Sequence, residues 1–440
     1  MSGGRSRRWK SAWRWRCSLV LAVVLLTACA LPPAPATDSP LPTPSPTFSP
    51  TATPTPPSPG RLVSTLTLWL PEELTPYAEN PGAKVLAQQL SDFNLAYDDL
   101  QVQAIVKKAQ GRGGLLDFLR TASVTAPTVL PDLIVLRSDD MQVAAQAGLL
   151  QPLDGLLSEN LSTDRYPFAI ALGQVDGQTM AIPLTAELEH LAYQPVLFDR
   201  PPITWTDVLS SETSFLFPAA GREGALNDAT LVQYLGAGGR LADGEGNPQL
   251  DPEPLAAVLG FYSEIAAAGV ISPPVLLTLE DSTACWERFL AGEAGMVVVN
   301  SRQFWTAQDV AAAPGVLPSQ TGQAVAIARG EWVLALVATD PQRQQQAMFL
   351  LEWLLSPERY GTWTQNTGYL PTTRGGLAAW EILPAERAVL DALLERSQLP
   401  PAPEIWQVVG APLQVAVNAV LMGRRSPAAA AAEAVRAVQP

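Results

Sequence analysis

The chain is poor in the residues that most catalysis and cross-linking require. Its 440 residues hold three cysteines and one histidine. A single His190 excludes a multi-histidine zinc site and leaves one candidate base for any Ser-His-Asp triad. Three cysteines, two of them in the first 29 residues, leave Cys285 without a partner, so no disulfide is expected to support the folded part. Cys285 is read as a small buried apolar residue. There is no H-E-x-x-H, no G-x-S-x-G and no Walker loop; Gly111-Arg112-Gly113-Gly114 is glycine-rich but lacks the following Lys-Ser/Thr. Charged residues make up only 16% and carry a formal net charge of −14. That acid excess grows once the six basic residues of the N-terminal leader are set aside. Such a surface repels nucleic acid.

The first segment is a leader. Arg5, Arg7, Arg8, Lys10, Arg14 and Arg16 precede the apolar run 19–26, which is too short to span a bilayer. It ends in Leu26-Thr27-Ala28-Cys29, similar to the lipobox of bacterial lipoproteins. That resemblance implies a signal peptide over 1–28, cleavage before Cys29, and lipidation of its thiol. Residues 29–60 are almost wholly Pro, Thr, Ser and Ala. They cannot bury enough apolar surface to offset their ordering entropy, and their prolines favour an extended tether of about 3.1 Å per residue.

From residue 61 onward, short apolar runs alternate with helical segments, the pattern of an α/β protein. Residues 62–70 read as a first strand and 100–106 as a second. The run 131–136 suits a strand buried on both faces. Ser138 reads as the cap of a helix whose first turn holds Asp139 and Asp140. Asp176-Gly177 between two short runs signals a tight hairpin. Pro201-Pro202 leads to Thr204, an N-cap for a helix from Trp205. Asp251-Pro252, Asp340-Pro341 and Ser426-Pro427 mark further helix starts.

Four stretches together resemble the extracellular solute-binding proteins of ABC importers, specifically the maltose- and oligosaccharide-binding group. They are Pro131-Asp132 through Gly148-Leu149-Leu150 to Pro152-Leu153; Asp176-Gly177-Gln178 through Ala181-Ile182-Pro183, Glu187, Tyr193-Gln194 and Pro202-Ile203-Thr204-Trp205; 285–299; and Gly368-Tyr369-Leu370-Pro371. Gln194 stands where the family usually has Asn, and Leu136 where some members carry Trp. The resemblance implies a two-lobed, periplasmic-binding-protein-like α/β fold of type II with hinged crossings between lobes. Lobe 1 would be 61–184 with 331–380, and lobe 2 would be 185–330 with 381–440. The first hinge strand would be Thr185 to His190, and the second crossing would lie near Glu331-Trp332.

It further implies a monomer, lipid-anchored on the outer face of the bacterial cytoplasmic membrane. It would pass a solute, a sugar or oligosaccharide, to importer permease subunits, without catalysis or cofactor. Implied ligand-binding residues are Glu72, Asp139, Glu187, Asn227, Arg302, Trp305, Trp332 and Trp406. Flat rings pack on sugar faces, and carboxylates and amides meet hydroxyls. Taken singly, a tryptophan is more often a core residue than a ligand platform. Two alternatives stay open: a lipid-anchored exported enzyme such as a glycoside hydrolase, which needs two carboxyls across a sugar, and a receptor for a non-sugar solute such as a polyamine.

Overall fold

The computed structural model describes residues 63–221, 226–307 and 309–439. The segments expected to be a leader and a tether, with Cys29 between them, lie outside the described residues.

Two sheets organise the chain. The first has five strands in the order Leu100–Lys107, Ser64–Pro71, Leu133–Arg137, Trp332–Leu336, Ala181–Pro183. The first three are mutually parallel, and Trp332–Leu336 runs antiparallel to both of its neighbours. The second has four strands in the order Ala313–Gly315, Glu189–Tyr193, Met296–Asn300, Phe215–Leu216. Strand alternation sorts the first sheet's side chains between two cores. Leu66, Leu68, Leu133, Val135, Trp332 and Leu334 face one. Trp69, Ile134, Leu136, Val333 and Ala335 face the other. A larger core holds the second sheet together with the helix Pro252–Ala267 and the C-terminal helices Pro403–Leu421 and Pro427–Val438.

The chain leaves the first sheet at Pro183, enters the second at Glu189, and returns between Ile327 and Trp332. The crossings lie side by side: Glu187 bridges Arg329, and Ala186 bridges Leu370. A small core of Tyr166, Ala186, Leu188, Ala328, Leu370 and Trp380 packs there. The regular strand begins only at Glu189, and His190 already pairs with Val299 inside the second sheet. The expected hinge strand Thr185 to His190 is thus shorter, its last two residues held by the second sheet's ladder.

Local chemistry explains most element ends. Asp176 and Gly177 take φ of 50° and 79°, the left-handed values a tight hairpin needs. Thr204 and Asp207 form a reciprocal capping box. Asp340 accepts from the Arg343 N–H at 3.0 Å. Ser138 is not the cap expected of it. The strand runs straight into the helix, so the cap position falls on extended Arg137 and Ser138 is the first helical residue.

Candidate functional site

Strand register places one end of each sheet at the crossings. In the first sheet, Pro71 pairs with Lys107 and Trp332 with Arg137. The carboxyl ends of the parallel strands therefore share an edge with the return crossing. In the second sheet, Asn300 pairs with Glu189 at the corresponding edge. Ligands in α/β proteins bind beyond such carboxyl ends.

Six polar side chains converge where the edges meet the crossings. Arg137 Nη1 donates to Glu331 Oε1 at 2.5 Å, and the Tyr369 hydroxyl donates to Glu331 Oε2 at 3.4 Å. The Arg302 guanidinium, which follows the second-sheet strand, lies 4.0 Å from the centre of the Tyr369 ring. Its Nε donates to the Thr367 carbonyl at 3.4 Å. Arg302 thus spans from one lobe to the other. Gly368 permits this approach: its φ is 76°, and a Cβ there would meet Thr306 Cγ2 at 2.4 Å. Glu187 completes the group. Burial pushes its carboxyl above the ordinary range, a hydrogen bond with Asn300 and the Arg302 charge pull it down, and Glu331 adds to the rise. Burial also pushes the Tyr369 phenol up to about 12. Two guanidiniums and two carboxylates, with an amide and a phenol, give balanced charge and both donors and acceptors. That set can hold a polar solute by hydrogen bonds.

The expected residues divide. Glu187 and Arg302 come together in this group. Glu72 and Asp139 are exposed on the first-sheet edge, just past the strands Ser64–Pro71 and Leu133–Arg137. Asn227 is a helix cap, with both amide functions engaged: Oδ1 accepts from the Thr230 N–H at 3.2 Å, and Nδ2 donates to the Pro218 carbonyl. Trp332 is 1% exposed in the first-lobe core and offers no ring face to a solute. Trp305 is half-buried, edge-on to Trp380 at 5.4 Å and to Phe304 at 5.1 Å. Trp406 sits within the helix Pro403–Leu421 and packs on the second-lobe core.

Arg137, Glu331, Tyr369 and Asn300 were not among the expected residues. The rule that ligands gather beyond strand ends would have found Arg137 and Asn300, each closing an apolar run.

His190 is fully buried. Its Nδ1 lies 2.8 Å from the Leu191 carbonyl and its ring stands edge-on to Phe304, while burial lowers its pKa to about 4. A neutral, enclosed imidazole is a packing residue here. An apolar cavity inside lobe 1 is lined by Leu68, Leu86, Val135, Leu334 and Trp363. Its polar neighbours already have partners: Gln89 donates to the Arg359 carbonyl and Tyr360 to the Leu184 carbonyl. Among the described residues, no group of three His, Cys, Asp or Glu could hold a metal ion.

Two α/β lobes joined by adjacent crossings, with polar strand edges meeting at them, define a type II periplasmic-binding-protein-like fold. The family model for bacterial extracellular solute-binding proteins matches residues 92–381, and the chain belongs to that family. A protein of Brucella abortus (strain 2308), provisionally named as a binding protein, is 20% identical over 317 residues, covering 66% of this chain and 76% of the relative. Among solved structures, a family 1 extracellular solute-binding protein from Alicyclobacillus acidocaldarius superposes with a TM-score of 0.64 at 16% identity, covering 86% of this chain and 98% of that one. The cyclic alpha-maltosyl-1,6-maltose binding protein from Arthrobacter globiformis gives 0.63 at 19%, with the same coverage. The sugar-binding protein MalE from Xanthomonas citri gives 0.62 at 20%, covering 85% and 96%.

Proposed function

We propose that this extracellular solute-binding protein is a lipid-tethered receptor that captures a carbohydrate between its lobes and presents it to the permease of an ABC importer. The observation that carries the reading is the group Arg137, Glu331, Tyr369, Glu187, Asn300 and Arg302, drawn from both sheet edges and the crossings between them. Its balanced donors and acceptors suit hydroxyl-rich solutes, and the names of two structural neighbours specify sugars. Glu72 and Asp139 extend the polar lining along the first-sheet edge. The moving bodies are 61–184 with 331–380 and 185–330 with 381–440. Solute drives closure only through its greater affinity for the closed state.

A thermal-shift screen of the mature chain over oligosaccharides, polyamines and inorganic anions tests the solute class, because bound ligand stabilises by mass action. Sugars should raise the melting temperature without being cleaved. A shift by polyamines alone, or turnover of a sugar, would overturn the reading.

The anchor is tested separately. Cys29 follows Leu26-Thr27-Ala28, so Cys29→Ala should abolish incorporation of labelled fatty acid and release the protein from the membrane fraction. Unchanged labelling would remove Cys29 as the lipid site. The lipid supplies anchoring and the tether supplies reach, so the same variant should bind solute as the parent does.

A further inference from the structure

The first-sheet edge carries a second polar feature, away from the crossings in strand order. Lys107 ends the outermost strand and pairs with Pro71. Its ammonium lies over two aromatic rings, 4.5 Å from the Trp69 centroid and 4.0 Å from that of Phe118. Trp69 is 3% exposed and Phe118 43%, so one ring is a fixed floor and the other an outer wall.

Ring faces attract a cation but leave its three N–H donors without an oxygen. Among the described residues, no oxygen accepts from Lys107 and no carboxylate pairs with it. Burial lowers its pKa, with no acidic neighbour offsetting that effect. The chain has four lysines against 42 acids. Lys84 pairs with Glu79 at 3.1 Å, and Lys108 is exposed beside Lys107. With acids so abundant, a half-buried ammonium left unpaired at the ligand-facing edge is poised for an external one. The following loop adds no compensation at the ammonium. The helix Leu115–Thr125 starts without a side-chain cap, and Asp117 in its first turn is directed to the Gly113 N–H at 2.7 Å.

We propose that Lys107, held between Trp69 and Phe118, is an acid-recognition subsite of the cleft, and that the solute is a saccharide bearing a carboxylate. The carboxylate would accept charge-assisted hydrogen bonds from Nζ while the sugar hydroxyls reach toward the crossing group. This rests on the carbohydrate reading above. A sugar phosphate or sulfate offers related chemistry, and the probes separate these sources.

Isothermal titration of the full mature chain decides it. The probes are galacturonate and its trimer, the matching neutral galactose sugars, galactose 6-phosphate, galactose 6-sulfate and sugar-free citrate. The uronates should bind tightest, with affinity falling as ionic strength rises. Lys107→Met, which keeps the apolar stem between the rings, should lose about tenfold or more for uronates at an unchanged melting temperature. Lys107→Arg should retain most of it. Failure of the uronates to bind, neutral sugars binding as tightly as uronates, or unaltered uronate affinity in Lys107→Met would overturn the proposal. Preference for the phosphate or sulfate ester would overturn the carboxylate assignment. Citrate binding that depends on Lys107, with no sugar bound, would uphold acid recognition and overturn the carbohydrate reading instead.

Discussion

Trp332→Ala is expected to destabilise the protein by about 3–5 kcal/mol, the range for removing a large aromatic side chain from a packed core. Trp332 is 1% exposed in the core that includes Leu334, Leu184, Tyr360 and Tyr369. Its backbone ties the crossings: its N–H donates to the Thr185 hydroxyl at 3.1 Å, and its carbonyl accepts from the Leu184 N–H at 2.8 Å. The indole also lies 5.8 Å from the Arg137 guanidinium carbon, so its loss loosens one member of the polar group. Denaturant unfolding of Trp332→Ala beside Trp332→Phe is the test, with the phenylalanine variant keeping much of the lost stability. A stable Trp332→Ala protein with weakened solute binding would instead place the ring against solute, as the sequence resemblance suggested.

The second large effect is on the pH dependence of stability. Glu189 opens the strand Glu189–Tyr193, and its Oε2 is buried without a hydrogen-bond donor. Burial first, then the Asp228 charge, push its carboxyl from 4.5 up to about 7; Ser282 and Arg329 pull it down and Asp281 adds to the rise. Next to it, burial pulls His190 from 6.5 to about 4. The fold therefore holds Glu189 protonated at pH values where the unfolded chain ionises it. Its contribution is complete below about pH 4.5 and is lost as pH rises through 7. His190 acts oppositely: its contribution is complete above about pH 6.5 and is lost as pH falls through 4. Between 4.5 and 6.5 the two slopes largely cancel. Glu189→Gln removes one of them. The variant should gain stability with rising pH up to 6.5 and then level off. At pH 8 it should exceed the parent by up to about 3 kcal/mol, from 1.36 kcal/mol per pKa unit. Unfolding curves from pH 4.5 to 8 measure this, and superimposable parent and variant profiles would show that the carboxyl ionises freely in the fold.

Short-range chemistry made much of the fold legible. The Asp176-Gly177 hairpin and the caps at Thr204, Asp340 and Ser426 follow from residues within a few positions of one another. The strand Leu133–Arg137 was visible as an apolar run because both its faces are covered. That same double burial hid the role of Trp332. All of Trp332–Leu336 is buried, so no polar alternation marks which side a residue faces. Only the observed register puts Trp332 with Leu334 and away from Val333. The capping role of Asn227 is not legible in the sequence because a cap amide and a ligand amide look alike until Thr230 and Pro218 are seen on either side of it. Arg137 and Glu331 are 194 residues apart, and nothing local announces that an antiparallel ladder will join them. Tyr369 stands out in the sequence only as part of Gly368-Tyr369-Leu370-Pro371, because the Arg302 that covers it arrives from the other lobe.

Closure of the lobes around solute is tested most directly by small-angle X-ray scattering on the mature protein, free and saturated with the solute that the thermal-shift screen identifies. The radius of gyration should fall on saturation, as the edges carrying Arg137 and Glu331 on one side and Asn300 and Arg302 on the other draw together over the solute. A radius unchanged at full saturation would contradict capture between moving lobes.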